Sequence, residues 1–153
     1  MRDQDWTPGG GLLHPVPLVA IATLVVNDHW LKAAYGTWWT GKLSDVAGML
    51  FFPLLLQAAW EVISRRPPTR RALISATLAT GLVFGLVQVW APMTELYATG
   101  LGALQWPFRA LQGLGYSRVQ VTPDPSDLWT LPALSGAVLA GWKRAREREP
   151  RSE

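Results

Sequence analysis

Asp28, His29, Asp45 and Asp127 are the side chains whose types could do acid–base or metal chemistry. Carboxylates and an imidazole can carry protons when their surroundings tune them. Lys42, Asp124, Arg109 and Arg118 could bind a ligand, with the three cations as clamps for a phosphate. One histidine among several aspartates is an oxygen-rich set. If a metal is present, Mg or another oxygen-preferring divalent ion suits it better than structural zinc. There is no HExxH or CxxC spacing, no Gly-x-Ser-x-Gly elbow, no P-loop and no dinucleotide fingerprint. Asp124-x-x-Asp127 also lacks the Asp-Gly-x-x-Ala-Arg element expected of alcohol phosphotransferases.

Each of these residues also has a plain structural role. Asp45 and Asp127 precede apolar runs, where a carboxylate accepts backbone N–H bonds and suits the positive end of the helix dipole. Asp124 in Pro-Asp-Pro is a turn former. Asp28 near a helix C-terminus opposes the dipole, which pairing with Lys32, four residues on, or with Lys42 would offset. His29 is either a hydrogen-bonded interfacial histidine or a proton carrier. His14 has no evident acidic partner.

These residues sit at the thresholds of long apolar stretches. The chain has 153 residues, room for one domain, and 49% of them are hydrophobic against 16% charged. Cysteine is absent, which excludes disulfides, thiolate zinc sites and a cysteine nucleophile. Residues 1–11 read as a flexible tail without the basic start of a signal peptide. Residues 12–142 read as an all-α, four-helix transmembrane domain, with spans at about 12–35, 45–63, 72–91 and 127–142. In the first, Pro15 and Pro17 suit an opening turn and Gly36 is the natural stop. Ser44 or Asp45 is the expected cap of the second. Gly81 and Gly85 give the third a face open to close packing. Tyr97, Leu101, Leu104, Phe108 and Leu111 predict an amphipathic helix, broken near Pro107, that either lies along the interface or packs on the end of the bundle. Residues 118–122 alternate like a short strand. Residues 143–153 form a basic tail.

Charge orients this arrangement. Arg2, Arg65, Arg66, Arg70, Arg71, Lys143, Arg144, Arg146, Arg148 and Arg151 would share the side of both termini, leaving Lys32, Lys42, Arg109 and Arg118 opposite. The positive-inside rule makes the first side cytoplasmic. Trp30, Trp38, Trp39, Trp90, Trp106 and Trp129 then fall near the outer interface, and Trp6, Trp60 and Trp142 near the inner one. The predicted location is the plasma (inner) membrane, multi-pass, with the candidate cluster at the outer face.

The Lys42-Leu43-Ser44-Asp45 threshold, and Asp127-Leu128 followed by Gly136 and Gly141, resemble the VanZ-like four-helix bacterial membrane proteins. The charge order is reversed relative to the Asp-Lys of that family, no His follows Asp45, and Leu131 stands where an Asn is expected. The whole pattern resembles an uncharacterised bacterial multi-pass inner-membrane family, a likeness that implies no activity.

Three functions follow as expectations. The first is a non-enzymatic envelope protein whose outer-face cluster supports helix packing and binds a lipid headgroup or protein partner. The second is a small membrane enzyme acting on a lipid-linked or phosphate-bearing substrate through Asp28, His29, Asp45 and Asp127. The third is a proton or ion conductor, working as a homo-oligomer. The lipid bilayer is the common partner. Nucleic acid is not one, since orientation accounts for the basic residues.

Overall fold

A computed structural model describes residues 7–148, and it is all-helical, 82% helix, with no strand among the described residues. Arg2, Trp6 and Arg151, used above to orient the chain, lie outside that range. The chain divides into two compact units, Met1–Gly81 with Trp129–Glu153, and Leu82–Leu128.

In the first unit, helix α1 covers Pro15–Val26, and His14 caps it by accepting the Val16 N–H at 3.2 Å. The helix continues through a π-helical turn, Asn27–Leu31, into α2, Lys32–Tyr35, and stops at Gly36. Gly36 has φ 53°, a left-handed backbone that glycine adopts without cost. Helix α3 spans Trp38–Ser64, so it begins about two turns before the Ser44–Asp45 threshold. Those two residues are therefore inside the helix and not at its cap, which corrects the expectation. Pro53 is buried within α3 without ending it, and Arg65 closes it with φ 53°. Helix α4, Arg70–Val89, starts where the Thr69 hydroxyl accepts the Ala72 N–H at 3.1 Å. Helix α6, Leu134–Arg148, follows a 3-10 segment, Pro125–Ala133. Asp127 lies in the first turn of that segment, so it does not cap an α-helix either.

Leu54 of α3, Leu73 of α4 and Ala137 of α6 form the core, with Leu12 and Ala140 packed on it. Glycines set how closely α6 approaches. A Cβ on Gly141 would stand 2.9 Å from Leu73 and 3.1 Å from Leu54, and one on Gly136 would stand 2.6 Å from Leu50. Residues 7–11 are not loose. Gly10–Leu13 form a 3-10 turn, and this segment is bonded to α3 and α6.

Burial is inverted relative to a water-soluble globule. The buried residues are mostly small or polar: Ala20, Ala47, Ala58, Ala76, Ala145, Asn27, Thr40, Gln57, Glu61, Thr77 and Thr80. Large apolar side chains point outward, among them Leu18, Val19, Phe52, Leu56, Leu78 at 67% exposure and Ile63 at 83%. Thr77 and Thr80 turn their hydroxyls back onto the carbonyls of Leu73 and Ala76, so those two hydroxyls need no solvent partner. Helices α3 and α4 are long and apolar enough to cross a membrane, and only 44% and 33% of their apolar windows are buried.

The second unit holds the end of α4, helix α5 (Ala91–Leu111) and the return segment 112–124. Helix α5 continues through Pro107, against the expected break: the exposed proline costs the helix one N–H without ending it. The expected strand at 118–122 is an extended segment, tied to α5 by the Val119 N–H on the Ala98 carbonyl at 3.2 Å. Gly102 permits that approach: a Cβ there would meet the Ser117 carbonyl oxygen at 2.6 Å. Leu104, Phe108 and Leu111 of the amphipathic stripe are exposed, whereas Thr94, Ala98 and Gly102 are buried.

Candidate functional site

Asn27 organises the first polar cluster. It is fully buried, and its Nδ2 donates to the Thr40 carbonyl at 2.6 Å and to Ser44 Oγ at 2.7 Å. Ser44 in turn donates to Asp28 Oδ1 at 2.9 Å, and Lys32 Nζ lies 2.7 Å from that same oxygen. The π turn brings this about. Its extra residue per turn sets Asn27 toward α3 while Asp28 stays at the surface beside Lys32. The Asp28–Lys32 pair expected from sequence is thus present, and Ser44 is the hydroxyl that links it to the buried amide. Asn27 Oδ1 is buried without a partner. His29 is exposed, and its Nδ1 donates to the Val25 carbonyl at 3.0 Å, one turn back. Lys42 and Asp45 are half-buried in the second turn of α3, and both are engaged.

Asp124 and Asp127 belong to the second unit, where the buried Gln88 joins them. Gln88 Nε2 donates to Asp127 Oδ2 at 2.9 Å, and Gln88 Oε1 accepts the Asp124 N–H at 3.0 Å. Asp124 also accepts the Ser126 N–H at 2.8 Å, the turn-forming bond that Pro-Asp-Pro implies. Arg118 pairs with Glu95, and Arg109 Nε donates to the Gly115 carbonyl at 3.2 Å. Both arginines therefore fasten the return segment to α5. Gln88 went unremarked in the sequence because a lone amide at the end of an apolar helix carries no spacing signal.

A third arrangement centres on Glu61, which is 1% exposed near the end of α3. Its Oε2 accepts the Gly9 N–H at 3.0 Å and Arg144 Nη2 at 3.1 Å. The same Nη2 donates to the Thr7 carbonyl at 3.0 Å. Gly9 has φ 76°, and a Cβ on Gly11 would collide with Arg144 Nη1, so the glycines let the segment lie across the ion pair. Glu61 Oε1 is buried with no partner among the described residues. Beside it is a cavity of about 360 Å³, half open, whose lining includes Leu13, His14, Leu54, Gln57, Glu61 and Arg144. The sequence did hold a signal, since a carboxylate inside an apolar helix marks a site by its expense. Its partner, 83 residues away, could not be read.

Among the described residues no group of three His, Asp or Glu side chains is placed to hold a metal ion. Comparison of the chain with family models, curated proteins and solved structures gives no match.

Proposed function

We propose that the chain is a multi-pass protein of a bacterial inner membrane, with four spans, both termini cytoplasmic and no catalytic role for its outer-face polar cluster. That cluster serves to pack helices and to meet a lipid headgroup or protein partner. The observation that carries the reading is the inverted burial: small and polar residues inside, Leu18, Val19, Ile63, Leu78 and Leu82 outside. Water would penalise that surface by roughly 25 cal/mol for every Å² of apolar area left exposed, whereas lipid accepts it. The two long apolar helices supply two of the spans, and Pro15–Tyr35 and the Trp129–Trp142 stretch the other two. Arg65 and Arg66 between α3 and α4, Arg70 and Arg71 in the first turn of α4, and Lys143, Arg144 and Arg146 in α6 support a cytoplasmic location for those ends. Support for packing over chemistry comes from Asp28, which already serves Ser44 and Lys32.

The chain has no cysteine, so single cysteines report on topology without background. Residues 66 and 124 are expected to react with an impermeant maleimide from opposite sides of a sealed vesicle. Labelling of both from one side would refute the four-span arrangement, and a chain that stays dispersed without detergent would refute membrane residence altogether.

A further inference from the structure

The cavity beside Glu61 is separate from the cluster at Asn27 and Asp28. Ser44 and Glu61 are 17 residues apart on α3, about 25 Å at 1.5 Å per residue. Its lining is unusual in leaving opposite chemistries unfinished. Among the described residues Glu61 Oε1 is a buried carboxylate oxygen with no donor, a costly condition unless something fills it. Arg144 spends only Nη2 on Glu61 and Thr7. His14 accepts the Val16 N–H through Nδ1, which leaves the ring N–H on Nε2 as a donor. The cavity thus holds an acceptor for a cation, with Gln57 one turn before it on α3, and two donor side chains for an anion. Leu13 and Leu54 supply apolar wall, and the volume is near the lower end for a small-ligand site.

We infer that this cavity binds a small zwitterion, a primary ammonium joined by a short linker to a phosphate. The ammonium donates to Glu61 Oε1, and the phosphate accepts from His14 Nε2 and Arg144. Because the internal ion pair is already neutral, a ligand carrying both charges adds none, and a bare cation or anion would leave one half of the site unmatched. The headgroup of an aminophospholipid and free glycerophosphoethanolamine, both phosphodiesters without net charge, share this chemistry.

Isothermal titration of the full chain in maltoside micelles tests the assignment, with short-chain phosphatidylethanolamine, short-chain phosphatidylcholine and free glycerophosphoethanolamine as probes. Choline has no N–H for Oε1, so the ethanolamine lipid is expected to bind about ten-fold more tightly than the choline lipid. Glu61→Gln is expected to bring the two lipids within about two-fold of each other. Should that variant fail to fold, His14→Ser at this exposed position keeps a cap acceptor for the Val16 N–H while removing the ring, and it should weaken both lipids about three-fold while leaving their ratio intact. Equal affinity of wild-type chain for the two lipids, or no binding of any probe, overturns the proposal. Binding of free glycerophosphoethanolamine as tight as the lipid identifies a soluble ligand, and binding of the lipid alone identifies a headgroup. The free zwitterion can be titrated whatever the topology, so failure here and failure of the four-span reading are separate results.

Discussion

Three buried polar side chains, Asn27, Gln88 and Glu61, each bind groups distant in the chain, and each does so differently. Asn27 and Gln88 are neutral amides that join one segment to another through two bonds apiece. Asn27→Ala removes both donors and leaves the Ser44 hydroxyl without the bond it accepts, so thermal unfolding in detergent should show a loss of about 1–3 kcal/mol. His29 is a contrast, because its ring bonds only the carbonyl one turn before it and is exposed. His29→Ala should change stability by less than about 0.5 kcal/mol in the same assay. A lost cellular phenotype with stability kept would then speak for proton chemistry at His29 and against a packing role.

At the level of helices and their connections, backbone geometry sets the limits. Arg65 ends α3 in the left-handed region, where a side chain costs about 1–2 kcal/mol relative to glycine. Arg65→Gly should therefore raise the detergent melting temperature despite removing a charge, and a fall would mean that the guanidinium contributes more than the backbone loses. The return segment in the second unit depends on the opposite economy. Gly102→Ala puts a Cβ into the Ser117 carbonyl, a backbone atom that moves only with its neighbours. Amide hydrogen exchange at Val119, whose N–H bonds Ala98, should accelerate in that variant while exchange along α3 stays unchanged. Small residues work the same way in the first unit, where Gly136 and Gly141 let leucines of α3 and α4 seat against α6.

For the whole molecule, the solvent decides what its surface means. Leu78 is 67% exposed on a helix long enough to cross a bilayer. On a water-soluble protein Leu78→Arg would be nearly neutral, within about 0.5 kcal/mol. In lipid the same change costs about 2.5–3.5 kcal/mol of insertion energy. A glycosylation-reporter insertion assay of α4 distinguishes the two, and unchanged behaviour of the variant would count against a lipid-facing Leu78.

Composition and local patterning determined the all-helical class, the apolar stretches of α3 and α4, the stop at Gly36 and the i, i+4 pairing of Asp28 with Lys32, because each depends on residues within a turn or two of one another. Capping was misread at Asp45 because a helix start depends on whether the preceding residues can also be helical, and Trp38–Leu43 can. The break expected at Pro107 and the strand expected at Arg118–Thr122 failed for a similar reason: propensity is weak against the contacts a segment finally makes. Only the tertiary structure decided that Gly9-Gly10-Gly11 covers a buried ion pair, that Gln88 holds Asp124 and Asp127, and that Glu61 meets Arg144 beside a cavity. Those pairings join residues tens of positions apart, and no periodicity records a contact that exists only after helices pack.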